Sequence, residues 1–113
     1  MIGGLKNQFA SMRHRVEIQN PVETQDAALQ PITTWETFRT SEPASYEQTA
    51  GGEVLRGRQV AANVTCVFVV NYRTGYSTRQ RVIFDGTTHE ILRVHTPDGI
   101  KRFVELECRA VGV

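Results

Sequence analysis

Two cysteines, Cys66 and Cys108, are the side chains best suited to nucleophilic or metal chemistry in this sequence. They lie far apart in the chain and do not form a C-x-x-C clip or a disulfide framework. Each occupies an apolar-phase position of a predicted strand, which indicates a reduced thiol in the core and leaves open that the two are cross-strand neighbours. We therefore expect no nucleophile beside a base and an orienting acid, and no enzyme.

The remaining polar candidates also lack a complete site. His89 and His95 are an even number of positions apart and would share one face of a strand, but a third metal ligand is missing, so we interpret them as surface histidines. Asp85 and Asp98 each precede a glycine, as turn residues do. Gly51-Gly52 lacks the further glycines and the lysine of a phosphate loop. The sequence predicts no metal site and no cofactor.

Composition limits the class of protein. A chain of 113 residues with 40% hydrophobic and 22% charged residues is expected to form one domain, residues 1–113. The net charge of +1 argues against a protein whose main task is to grip nucleic acid. No apolar run is long enough to cross a bilayer, and the first residues lack a secretory signal, so we expect a cytoplasmic location.

The first half of the chain predicts strands around a loop. Arg13 to Gln19 alternates apolar and polar residues, as a half-buried strand does, and Gly4 to Ser11 has the spacing of a short helical turn. Asn20 to Pro31 contains two prolines and little periodicity, which indicates an exposed loop at a tip of the molecule. Ile32 to Gln48 is β-prone, and Pro43 predicts an edge or a bulge within it.

The second half predicts a meander. Glu53 to Gln59 is compatible with one helical turn or an irregular excursion, and Ala62 to Tyr72 with a central strand that is apolar on both faces. Three further strands follow: Arg81–Phe84, Glu90–Thr96 and Phe103–Ala110. In the last strand Val104, Leu106 and Cys108 are expected to point inward, and Glu105, Glu107 and Arg109 outward. About six strands would leave exposed edges in an open sheet, so we predict an all-β fold, a small closed or nearly closed antiparallel β-barrel.

A series of short motifs in register over most of the chain resembles one known family. The matching segments are Leu5, Arg13-His14-Arg15-Val16-Glu17-Ile18-Gln19, Thr34-Trp35-Glu36, Gly51-Gly52-Glu53, Gln59-Val60, Val64-Thr65, Asn71-Tyr72-Arg73, Arg81-Val82, Asp85-Gly86, His89-Glu90-Ile91 and Glu105-Leu106-Glu107-Cys108-Arg109. In this order and spacing the sequence resembles the tailed-phage head-tail adaptor (head-tail joining, or head closure) proteins. Departures from the pattern are Phe38 in place of a frequent tryptophan, Asn71 in place of an arginine, and few glycines before Trp35.

The resemblance implies a virion protein that forms a ring below the portal and its adaptor, closes the DNA-filled head and docks the tail. It also implies that a long loop between the early and central strands faces the DNA channel and contacts the genome transiently. The corresponding candidates here are Glu47, Gln48, Glu53, Arg56, Arg58 and Gln59. Assembly would take place in the host cytoplasm, and the subunit alone could be a monomer.

A ring requires one surface of a subunit to meet a different surface of the next. Charged residues of the first strand and of the last turn are our candidates for these surfaces: Arg13, Arg15, Glu17, Lys101 and Arg102. The sequence does not distinguish which of them donates the contact.

Two alternatives have similar sequence features. A tail-completion or tail-terminator protein is also small, β-rich and ring-forming, and differs by its position in the particle. A small barrel that binds single-stranded nucleic acid would use aromatic platforms and basic grooves, for which Tyr72, Arg73, Tyr76, Arg79 and Arg81 are the candidates. Salt-dependent oligonucleotide binding would distinguish this second alternative.

Overall fold

The computed structural model describes residues 12–49, 54–55, 58–59, 63–97 and 101–111. The regular elements of these residues are eight strands. Their bounds are β1 His14–Gln25, β2 Pro31–Gln48, β3 Val54–Leu55, β4 Arg58–Gln59, β5 Cys66–Asn71, β6 Arg81–Phe84, β7 Thr87–His95 and β8 Phe103–Ala110.

Six of the strands close into an antiparallel barrel in the order β1-β2-β5-β8-β7-β6, with β6 paired back to β1. β3 and β4 pair only with each other, as a separate two-stranded sheet. Closure removes the free edges that an open sheet would expose. The predicted all-β, six-stranded barrel is confirmed, and the molecule is elongated, 61 × 26 × 26 Å along its principal axes.

Alternating apolar residues fill the barrel interior. Phe68, Ile18 and Leu106 have no exposed surface and pack against smaller inward residues from every barrel strand. Aromatic rings extend this core, because Phe84 lies 4.9 Å from the ring of Tyr46 and 5.4 Å from that of Phe68, measured between centroids. The strand period of two, visible in the sequence, thus builds one interior.

The outer face of β5 and β8 is buried as well. Val67 and Val69 have no exposed surface, as expected for a central strand that is apolar on both faces. On β8, however, the outward Glu105 and Glu107 are only 2% and 1% exposed, so their predicted solvent position is wrong. Period two gives the direction of a side chain but not whether something covers that face. Arg109 is exposed, as predicted.

The four C-terminal strands do not form a simple meander. β6, β7 and β8 follow one another as predicted, but β8 lies between β7 and β5, so β5 and β6 are not neighbours. The connection from β5 to β6, residues 72–80, is too long for a tight hairpin and instead crosses one end of the barrel.

Of the two alternatives for Glu53 to Gln59, a helical turn or an irregular excursion, the helical turn is wrong, because Val54 pairs with Gln59 and Leu55 with Arg58. The helical turn predicted at Gly4 to Ser11 lies outside the described residues. The predicted irregularity near Pro43 is present, since the β1–β2 register shifts twice between Glu42 and Thr37.

Cys66 and Cys108 are register partners on β5 and β8, and both are buried free thiols. Burial raises the pKa of the Cys66 thiol to about 11. Burial, and then the neighbouring Cys66, raise the pKa of Cys108. Because the thiolate is the reactive form, both cysteines are chemically quiet at neutral pH.

The two β7 histidines do not share a face. The β7–β8 register shifts between Ile91 and Arg93, so the side chains on either side of Leu92 change phase. His89 points inward, is 5% exposed and lies 5.2 Å from the Phe68 ring, which corrects its assignment to the surface. Its Nδ1 is buried without a hydrogen-bond partner among the described residues, and burial lowers its pKa from 6.5.

We therefore expect His89 to make the stability of the barrel pH-dependent. The folded protein binds this proton less tightly than the unfolded chain, so stability is full above the unfolded pKa of about 6.5 and decreases as pH falls below it. Urea unfolding of the wild type and of His89→Phe at pH 5 to 8 measures the effect. The stability difference between the two proteins should change in favour of the variant at low pH, and a difference that is constant with pH would contradict this assignment.

Candidate functional site

The most prominent surface feature is a hairpin that leaves the barrel. Beyond Gln19 on β1 and before Thr37 on β2, the two strands pair only with each other. We call residues 20–36 the arm. Its paired part runs from Asn20↔Glu36 to Gln25↔Pro31 and, at about 3.3 Å per residue, extends about 20 Å.

The predicted loop from Asn20 to Pro31 is therefore wrong for Asn20–Gln25, which continue β1. Pro21 made this segment look irregular, but a ribbon of two strands has free outer edges where a missing N–H is tolerated. The prediction that the segment forms a tip is confirmed, because only residues 26–30 make the turn.

One carboxylate organises the tip of the arm. Oδ1 of Asp26 accepts hydrogen bonds from the backbone N–H groups of Ala28 and Gln30, both at 2.9 Å. Leu29, between them, has a φ of 63°, a left-handed conformation that costs a branched residue roughly 1–2 kcal/mol. Its side chain is 73% exposed. The turn thus holds a large apolar side chain out in solvent, as an anchor for a partner would be held.

The arm is acidic. It contains Glu23, Asp26 and Glu36 and no lysine or arginine. All three acids are exposed. A polyanion such as DNA would be repelled by this element, so the arm is suited to contact with protein.

Arg81 fixes the base of the arm on its outer face. Its guanidinium lies 4.1 Å from the centre of the Trp35 ring, and its Nε donates to Oε1 of Gln19 at 2.6 Å. Gln19 Nε2 in turn donates to Oε2 of Glu17 at 2.8 Å, which also accepts from Thr37 Oγ1 at 2.7 Å. These bonds to Gln19 and Thr37 lower the pKa of Glu17. The chain of contacts ties β6, β1 and β2 together where the arm begins.

Gln80 fixes the opposite face. It is 3% exposed, and its Nε2 donates to Asn20 Oδ1 and to the Gly75 carbonyl, both at 2.8 Å. Its Oε1 accepts from the Ser77 backbone N–H at 2.9 Å. The arm is thereby held to the β5–β6 connection as well as to β6.

The predicted lumen loop leaves the other end of the barrel. Glu47 is half-buried and Gln48 exposed at the end of β2, and the Thr49 N–H bonds the Thr65 carbonyl at 3.0 Å where the chain returns. Glu53 and Arg56 lie outside the described residues. Arg58 and Gln59 lie in β4, of which only the backbone is described.

The predicted subunit-interface residues do not form one patch. Arg15 and Glu17 lie in the first half of β1, and Arg13 directly precedes this strand. Arg15 is held by a 3.1 Å hydrogen bond to the Ser41 carbonyl. Lys101 and Arg102 are exposed at the turn before β8, at the arm end of the barrel, where Tyr72 N–H bonds the Arg102 carbonyl at 2.9 Å.

The residues considered for single-stranded nucleic acid are largely occupied by internal contacts. Arg73 forms an ion pair with the buried Glu42 at 3.2 Å, and Arg81 stacks on Trp35. Burial, and then the Glu42 charge, raise the pKa of Tyr76 to about 12. No open aromatic platform is left by these residues.

The structure offers no reactive centre within the residues it describes. No group of three or more His, Cys, Asp or Glu side chains in this part of the chain could hold a metal ion. No helix found there is long and apolar enough to cross a membrane. Its prominent features are an arm and a loop segment at opposite ends of a sealed barrel.

Comparison with known proteins identifies the family. A family model described as phage head completion protein matches residues 8–111. The chain belongs to this family. Head completion is a structural task, so this family member is a virion component that interacts with other head and tail proteins.

The fold also occurs in a solved structure. The solution structure of protein SF1141 from Shigella flexneri 2a is similar with a TM-score of 0.66 and 23% identity, over 87% of this chain and 91% of that one. At this identity the similarity shows the fold alone. Among curated proteins, none matches the chain.

The arm was missed by sequence reasoning, although signals for it were present. Asp26 and Pro31 are turn-forming residues that could have located a turn, and the threonines Thr24, Thr33 and Thr34 are typical of strands on either side. What the sequence did not show is that these strands continue beyond the barrel.

We expect Arg81→Ala to loosen the arm while the barrel stays folded. Loss of the stack on Trp35 and of the bond to Gln19 should reduce stability by about 0.5–2 kcal/mol. It should also lower the backbone order parameters of residues 22–34, measured by NMR relaxation. Arg79→Ala, an exposed neighbour, is the matched control. An arm that is equally ordered in both variants would show that Arg81 does not position it.

Proposed function

We propose that this head completion protein forms a ring in the head-tail connector, below the portal and its adaptor, where it closes the DNA-filled head and docks the tail. Assembly would take place in the host cytoplasm. The observation that carries the proposal is the placement of the arm and of the segment containing β3 and β4 at opposite ends of one barrel. A subunit between head and tail needs separate contact regions of this kind.

The segment around β3 and β4 is our candidate for the channel lining. Its polar side chains suit a hydrated lumen: Glu47, Gln48, Glu53, Arg56, Arg58 and Gln59. A channel that passes DNA rapidly should not bind it tightly, and a net charge of +1 meets that condition. Contact with the double-stranded genome would be transient.

The ring would be head-to-tail, since a closed ring of many copies needs two different surfaces on each subunit. The candidate surfaces lie apart and can serve separate neighbours: Arg13, Arg15 and Glu17 at the start of β1, and Lys101 and Arg102 on the turn before β8. The purified protein can be a monomer that is ordered into a ring only on the portal.

The function is tested with particles made without this protein. We expect heads that package DNA, leak it and fail to join complete tails, as seen by negative-stain imaging and by nuclease sensitivity of the packaged genome. Tails of abnormal length on closed heads would instead favour a tail-completion or tail-terminator role. Finished, infectious particles would contradict any role in head closure.

Removing the segment Gln48 to Arg58 tests the gating role separately. The hydrogen bond between Thr49 and Thr65 shows that the chain leaves and re-enters the barrel at neighbouring points. A short Gly-Ser linker from Glu47 to Gln59 can therefore span the base of the segment, with the loss of only the terminal Gln48–Cys66 pair of the barrel. We expect the variant to enter particles while DNA retention in assembled heads decreases. Insertion of a Gly-Ser dipeptide into the exposed turn between β6 and β7, at the same end of the barrel, is the control for general disruption. Unchanged DNA retention would contradict the gating role.

A further inference from the structure

The arm and three exposed basic residues lie on opposite sides of the barrel. In the closed order β1-β2-β5-β8-β7-β6, the strands across from β1 and β2 are β8 and β7. Arg93 on β7, and Lys101 and Arg102 on the turn before β8, are exposed. We call these three residues the basic edge.

The charges of the two features are complementary. The arm carries three acids and no base, and the basic edge carries three positive charges. The β8 carboxylates next to the basic edge, Glu105 and Glu107, are buried, and Glu107 is the register partner of Arg93 and offsets its charge. Lys101 and Arg102 therefore supply most of the positive charge that a partner would meet. Opposite charges brought together in this way steer association and fix its register.

The structure of the arm indicates that contact with a partner stabilises it. A two-stranded ribbon is marginally stable in water by itself. The arm nevertheless presents Leu29 at 73% exposure and Ile32 at 41%. On the receiving side, the half-buried Pro97 and Phe103 flank the basic residues and offer apolar surface beside them.

We propose that the arm of one copy docks on the basic edge of the next copy of this chain, with Leu29 as its apolar anchor. This inference rests on the proposed ring and names its contact. Donor and receiver lie on opposite sides of one subunit, so repetition of the contact is head-to-tail and closes into a ring if the rotation permits. An arm of about 20 Å, beside a body 26 Å across, has the reach to contact a neighbour.

Cysteine cross-linking tests this contact. Ala28 at the arm tip and Asn71, which lies opposite Phe103 beside the basic edge, are both exposed, so a chain carrying Ala28→Cys and Asn71→Cys should form a ladder of multimers with a short bis-maleimide. Ala28→Cys with Thr87→Cys is the matched control, because Thr87 is exposed at the far end of the barrel. The wild type should give no ladder, since burial raises the pKa of both native thiols.

The reaction is carried out in assembled particles and with the purified protein at high concentration. A ladder specific to the Ala28→Cys/Asn71→Cys chain supports the contact if it is lost when Glu23→Lys and Glu36→Lys are added. It must then be regained when Lys101→Glu and Arg102→Glu are also added. An equal ladder in the Thr87 control overturns it. So does cross-linking of the arm only to an unlike virion protein, or no ladder in closed particles that contain the variant.

The head-closure role and the contact between copies are tested by different experiments. If particles without the protein still close, the head-closure role is wrong. The presence or absence of a cross-linked ladder with the purified protein then shows independently whether one copy docks on another.

Discussion

The structure depends on a short seam between β1 and β6. Only Glu17, Ile18 and Gln19 pair with Arg81, Val82 and Ile83, yet this pairing closes the sheet and seals the core. Because the seam ends at Gln19 and Arg81, the part of β1 and β2 that pairs beyond these residues lies outside the barrel. The end of the β1–β6 pairing therefore determines where the arm begins. The residues at this end also hold the arm against the barrel. Arg81 is both the first residue of β6 and the cation stacked on Trp35.

β2 is curved in the barrel and extended in the arm, and the change between the two requires bulges in this strand. The two register shifts opposite Val16, Ile18 and Gln19 add residues to β2, and Ser41 adopts a φ of 54° there. Bulges of this kind bend and twist a strand. Just before the shifts, Glu42 lies opposite Val16 and is buried, and Arg73 compensates its charge at 3.2 Å. Geometry and electrostatics are thus adjusted together at the arm end of the barrel.

The interior is built for packing and not for reaction. Burial favours the neutral forms of Cys66, Cys108 and His89, which keeps these three side chains uncharged at neutral pH. An interior without reactive forms of these groups suits a subunit whose role in head completion is structural. Contact with partners must then be made by the surface, where the arm, the basic edge and the segment around β3 and β4 supply features of different charge and shape.

The sequence by itself determined the barrel, because strand alternation and turn residues are local signals. Arg81–Phe84 and Phe103–Ala110 were located with the bounds that the structure has, and the two cysteines were placed in the core. Tertiary structure decided the rest. The arm depends on where the pairing of β1 with β6 ends. The burial of Glu105 and Glu107 depends on what covers the outer face of β8. The inward direction of His89, and the separation of His95 from its face, depend on a bulge at Leu92. Each of these is set by which strands become neighbours, and a pattern along one strand carries no information about its neighbours.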